Sequence, residues 1–128
     1  MNSSLRMTSR SEQRFPWFFL SIVVNLAAAD RNGGRDAVGT IEMEPGLQED
    51  LPNILDKLIP PSRDYGHERA WHDGNGHSHL QATLLGPSLT VPVKDRKLLL
   101  GTWQQIFHLE CDIKPRRRTI AVTVMGDP

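Results

Sequence analysis

At 128 residues the chain has room for one domain around one core, since folded domains usually run about 100 to 150 residues. Fifteen acidic and fifteen basic side chains cancel, so no overall field holds a polyanion and no nucleic-acid partner is expected. Cys111 is the only cysteine, which excludes an internal disulfide framework, fits a reducing compartment and reads as a buried, inert thiol.

The first fourteen residues, Met1 to Arg14, are Ser- and Arg-rich without apolar period and read as a disordered leader. Phe15 to Ala29 is an apolar block interrupted by Ser21 and Asn25; it is too short for a membrane span of about 20 residues. With Arg6, Arg10 and Arg14 before it and Ala27 to Ala29 at its end, it has the layout of a signal peptide cleaved after Ala29. Phe18 to Val24 equally suits a buried strand. Asp30 to Asp36 then reads as a turn, with Gly33 and Gly34 supplying left-handed angles.

Ala37 to Glu42 is a short strand candidate. Pro45-Gly46 breaks the chain, and Leu47, Leu51, Ile54, Leu55 and Leu58 fall on one face of a helix that ends before Pro60-Pro61. Asp50 is its expected N-cap, with Pro52 in the first turn and the apolar stripe in the core. Ser62 to Gly76 is polar loop. Ser78 with Gln81 forms a capping-box pattern and Gly86-Pro87 a stop, predicting a short helix over His79 to Leu85. Leu89 to Val93 and Lys97 to Glu110 are strands flanking a turn at Lys94-Asp95-Arg96, and Thr119 to Met125 alternates Ile120, Val122 and Val124 on one face. The fold class is α+β: one compact domain rich in antiparallel strands with two short helices.

The window from His72 to Ser88 is the densest in groups that bind metal or phosphate. His77 and His79 stand around a helix start, where the positive dipole end keeps imidazole neutral and attracts anions, so a phosphate near Ser78 and a metal suit the same place. His67 adds a further ligand, and Glu68 and Asp73 offer oxygens for magnesium. The spacing of His72, His77 and His79 matches no zinc signature, and solvated loop histidines are the competing reading. In the strand containing Trp103, Thr102, Gln104, Ile106, His108 and Glu110 share a face that suits a polar site, a subunit interface or plain solvent, while Trp103, Gln105, Phe107 and Leu109 face the core. Truncating Trp103 is therefore expected to cost about 3 to 5 kcal/mol. Lys94 to Arg96 and Arg116 to Arg118 are solvated cations or phosphate contacts.

Six motifs in order, Glu42-Met43-Glu44-Pro45-Gly46-Leu47, Tyr65-Gly66-His67, Asn75 with His79, Leu84-Leu85-Gly86-Pro87-Ser88, Gly101-Thr102-Trp103-Gln104, and Glu110 before the arginine run, resemble the YjbQ family over Thr40 to Gly126. Its members are labelled secondary thiamine-phosphate synthase. The resemblance implies a homotrimer with sites near subunit contacts, a cytoplasmic location and strands at the start of the chain, which favours the strand reading of Phe18 to Val24. It also implies an enzyme that joins a pyrimidine diphosphate to a thiazole phosphate and releases pyrophosphate. His67, His79 and Glu110 are then the expected catalytic groups, and Asn75, Ser78, Ser88, Thr102 and Gln104 the contacts to phosphorylated substrate. His67, His72, His77 and His79 are the expected ligands of a divalent metal, magnesium or zinc.

Three departures qualify the likeness. Gly33 stands where the family carries a histidine, Arg96 replaces a turn glycine, and the family's opening elements are not recognisable in Met1 to Asp36. The expected division is a divergent, partly disordered segment over 1–36 and the family domain over 37–128. The rival to the enzyme is a catalytically impaired trimeric protein that binds phosphate or metal.

Overall fold

Residues 22–29 and 34–126 are described by the structure, a computed structural model. The expected leader, the expected strand residues 18–21 and Gly33 lie outside them. In chain order the elements are β1 (Ile22–Ala28), β2 (Asp36–Ile41), α1 (Pro45–Leu58), α2 (Glu68–Trp71), α3 (Gly76–Leu85), β3 (Ser88–Lys94), β4 (Lys97–Leu98), β5 (Gln105–Glu110) and β6 (Ile120–Met125). A four-stranded sheet has the order β4-β3-β1-β6 and a two-stranded sheet pairs β2 with β5. All pairings are antiparallel. The α+β class holds, with three helices rather than two among the described residues.

Residues Ile22–Ala28 form an interior strand, hydrogen-bonded to β3 on one side and β6 on the other. Among the described residues the strand runs on past Val24 to Ala28, because small Ala27 and Ala28 fit beside their neighbours and Asn25 stands opposite Thr90 and Thr123. Cleavage after Ala29 would remove the middle of this sheet. Among the described side chains of this sheet, Val24, Val91 and Val93 are buried.

Helix α1 starts earlier than expected. Glu44, not Asp50, is the N-cap: its carboxylate accepts from Gly46 N and Leu47 N. Pro45 occupies the first turn, where its missing N–H costs nothing, and Pro52 falls inside the helix. The apolar stripe is only partly core, since Leu55 is buried while Ile54 and Leu58 are exposed. Helical spacing marks a face; it does not say how much of it is covered.

Helix α3 also starts early, after Asn75. Ser78 is therefore inside the helix, and Gln81 is no capping partner, because its Nε2 donates to Asp56 Oδ1 and to the Ile59 carbonyl, both at 2.9 Å. In the expected loop over Ser62 to Gly76 the short helix α2 forms, ending at His72 with a left-handed φ of 53°.

The strand expected over Lys97 to Glu110 is broken. Gly101 and Gln104 close a turn in which Gln104 N donates to the Gly101 carbonyl at 3.0 Å and Gly101 N to Gln104 Oε1 at 2.8 Å. Trp103 sits in that turn, 69% exposed. The expected core role of Trp103, and the folding cost of removing it, are corrected: period-two geometry does not carry across a turn. Phe107 and Leu109 do face the core, with Ala37, Leu55, Ala82 and Cys111. Asp95 and Arg96 form the two-residue β3–β4 turn with φ of 51° and 63°, so Arg96 adopts the left-handed angle that glycine takes cheaply.

Gly39 lies opposite Phe107, and a Cβ there would stand 2.9 Å from Phe107 Cε1. Phe107 is buried and cannot swing away. Gly39→Ala is expected to destabilise by about 1 to 3 kcal/mol through overpacking, read from urea unfolding; a parental midpoint would refute this packing. Among the described residues no helix is long and apolar enough to cross a membrane.

Candidate functional site

The β2–β5 ladder fixes which candidate residues share an end. Asp36 pairs with Glu110 and Ile41 with Gln105, and Arg35 O accepts from Cys111 N at 2.9 Å just beyond. Helix α3 packs on β2, and His79 Nδ1 comes within 3.5 Å of where a Gly34 Cβ would stand. Gly34 has a φ of +96°, so a side chain there would be strained and would crowd the imidazole. His79, Arg35 and Glu110 therefore belong to one end of the ladder. Thr102 and Gln104 belong to the other, about 17 Å away at about 3.4 Å per residue.

His67, the residue before α2, joins the first end. Its ring centroid lies 4.8 Å from that of His79, and its Nε2 lies 3.3 Å from Asp73 Oδ1. That nitrogen is buried and has no hydrogen-bond partner among the described residues. Burial first, and then the charges of Arg35 and His67, hold the His79 imidazole below its ordinary pKa; Asp73 and a hydrogen bond with the Gly34 backbone oppose the shift. The neutral form of His79 is thus favoured.

The four histidines expected to share a metal do not converge. His77 and His79 both lie within α3, and two residues along a helix turn about 200°. His77 points into the protein, 1% exposed, with neither ring nitrogen hydrogen-bonded to a described residue. His72 is exposed at the end of α2. Among the described residues no group of three or more His, Cys, Asp or Glu side chains is placed to hold a metal ion.

The start of α3 is likewise not an open phosphate cradle. The Glu68 carboxylate accepts from Gly74 N at 2.8 Å and Gly76 N at 3.3 Å, filling the electropositive end with an internal anion. Asn75 and Ser78 are buried, and Asn75 Oδ1 and Ser78 Oγ have no described partner. Ser88 is exposed at the start of β3, paired with Ala27.

Behind the His67–His79 pair lies an ion-pair network that sequence reasoning missed. Arg118 grips Glu110 with Nε and Nη2, both at 2.6 Å. Asp112 Oδ2 meets Arg116 Nε at 2.8 Å, Arg35 Nε at 2.9 Å and Arg118 Nη2 at 3.6 Å. Burial raises the Asp112 carboxyl, but the Arg116 hydrogen bond and the charges of Arg35 and Arg116 outweigh it and hold it below the usual range. Asp36 Oδ2 lies 3.0 Å from His108 Nε2. Burial, then Glu110 and Asp36, push the Cys111 thiol up to about 12, so it stays protonated. Alternation along β5 would have placed His108 and Glu110 together; only the β2 register adds Asp36.

Burial also holds His77 below its ordinary pKa, against the charges of Asp56, Glu68 and Asp112. As pH falls below the unfolded value of 6.5, the unfolded chain takes this proton first, so stability present above that pH is lost toward the lower folded pKa. His77→Phe is expected to make the loss of urea midpoint between pH 7.5 and 5 shallower. An unchanged slope would show that His77 does not titrate this way.

A family model described as UPF0047 protein YjbQ-like matches residues 36–127. A UPF0047 protein of Archaeoglobus fulgidus is 48% identical over 84 residues, covering 66% of this chain and 64% of the relative. One from Methanothermobacter thermautotrophicus is 46% identical over 87 residues, covering 68% and 59%. The chain thus spans about three fifths of the length of these curated relatives. A crystal structure of an uncharacterized conserved protein of the yjbq/upf0047 family from Clostridium acetobutylicum has a TM-score of 0.71 at 29% identity, over 82% of this chain and 76% of that one. A hypothetical protein of Aeropyrum pernix K1 gives 0.73 at 27%, over 99% and 100%.

Proposed function

This chain belongs to the UPF0047 YjbQ-like family, and on that premise we propose that the His67–His79 end of the small sheet is the reaction centre of an enzyme acting on a phosphorylated small molecule. The carrying observation is the half-buried His79 ring, 4.8 Å from His67 by ring centroid, where burial and then the charge of Arg35 hold it below its ordinary pKa. Imidazole rings beside a guanidinium suit a substrate whose negative charge grows as a bond to phosphate oxygen breaks.

Thiamine-phosphate synthesis is the named activity, as a weak or secondary one. The carbon–oxygen bond of the pyrimidine diphosphate breaks with its electron pair leaving on pyrophosphate, and the thiazole nitrogen lone pair makes the new carbon–nitrogen bond. Arg35 would meet the departing charge, and His79, whose Nδ1 edge is turned toward Gly34, would accept at Nε2 from an N–H or O–H of the substrate and so orient it. A homotrimer in the cytoplasm is the proposed state. It would let the Thr102–Gln104 turn of a neighbouring copy reach this centre, which its own cannot.

One observation favours the rival reading of a binding protein without turnover: Glu110, an expected catalytic acid, is held at both oxygens by Arg118. Pyrophosphate release from the two thiamine precursors tests the enzyme. Release that depends on His79 supports it; phosphate binding without release leaves the rival; neither binding nor release rejects both.

A further inference from the structure

We propose that Trp71 is a stacking platform that selects ligands carrying a planar heteroaromatic ring beside the phosphate, an inference that rests on the His67–His79 end being a phosphate-ligand site. Trp71 is 71% exposed, yet it is firmly mounted. It lies four residues after His67, one helical turn away, and the two rings stack at 6.5 Å with an interplanar angle of 25°. The His67 ring is in turn 4.8 Å from His79. A row of rings therefore runs from the half-buried reaction centre to an open indole.

The mount is more rigid than a four-residue helix would be alone. Trp71 N donates to the His67 carbonyl at 3.1 Å, and His72 N to the Glu68 carbonyl at 3.1 Å. The buried Glu68 carboxylate ties the helix to Gly74 and Gly76 at the entry of α3. Arg63 Nη1 donates to the His72 carbonyl at 3.3 Å. An exposed indole held this way presents a π-face at low entropic cost, and such faces bind flat heterocycles with little regard for their edge pattern.

The test compares uridine 5′-monophosphate, ribose 5-phosphate and inorganic phosphate by titration calorimetry on the full chain. The parent is expected to bind uridine 5′-monophosphate about tenfold more tightly than ribose 5-phosphate, a typical worth of one stacked ring. Trp71→Ala should erase that difference and leave ribose 5-phosphate affinity unchanged, while Trp71→Phe should keep most of it. Equal affinities in the parent, or a preference that survives Trp71→Ala, overturns the platform alone. Failure of all three ligands to bind removes the phosphate-site reading and the platform with it. A change of oligomeric state in Trp71→Ala would assign the indole to a subunit contact and also overturn the proposal.

Discussion

Arg118→Ala is expected to cost about 3 to 5 kcal/mol of stability, the usual result of removing one partner from a buried pair. The two side chains are only 7% and 8% exposed, and both guanidinium contacts to Glu110 are 2.6 Å long. Without them the Glu110 carboxylate still accepts from Asp112 N at 2.9 Å, an uncharged donor. The position in the fold makes the loss larger than a local one. Glu110 ends β5 in the small sheet, whereas Arg118 lies just before β6 in the large one, so this pair fastens one sheet to the other. Lysine is not expected to rescue, since an ammonium cannot form the two-pronged grip. Replacing both residues, as Glu110→Gln with Arg118→Met, should recover much of the loss, because no charge is then stranded. Urea unfolding of the three variants decides the matter. A loss under about 1 kcal/mol in Arg118→Ala would place the pair among solvated ion pairs of little worth.

The parts of the fold legible in the sequence are those where one rule acts alone. Alternation marks β6 through Ile120, Val122 and Val124, and β2 through a short apolar run between turns. Helical spacing finds α1, but Glu44 outcompetes Asp50 as its cap because Pro45-Gly46, read as a break, is the first turn itself. The same kind of error carries the largest functional consequence. With a helix starting at His79, His77 would be free to turn toward the other imidazoles; with the start at Gly76 the helix fixes His77 and His79 on opposed sides, and only His79 meets His67. Arg35, Asp36 and Asp112 carried no local signal, since their roles come from the β2–β5 register. Of the expected site residues, His67, His79 and Glu110 share one end of that ladder, Thr102 and Gln104 lie at the other, and Asn75, Ser78 and His77 are inside the protein.

Replacing His79 is the largest expected effect on chemistry, about 100-fold or more on pyrophosphate release, as for loss of a positioned imidazole. A structural role would also lower activity, so the pH profile has to separate the two. If the neutral ring is the working form, activity should stay level as pH falls through 6.5, the ordinary value, and decline only below it, because burial and then the charges of Arg35 and His67 disfavour the protonated ring. Arg35→Gln removes one of those charges. The His79 pKa then rises, and the acid limb of the profile should move to higher pH while the alkaline side stays in place. Asp112 retains Arg116 and Arg118 as partners in that variant, so the fold should survive the change. Asp73→Asn should act in reverse: the Asp73 charge favours protonated His79, and without it the limb should move to lower pH. Opposite displacements by two substitutions of opposite charge are not what a general loosening of the site produces. An acid limb that begins above pH 6.5, or that moves the same way in both variants, would remove neutral His79 from the chemistry and leave Arg35 as the surviving candidate for holding phosphate.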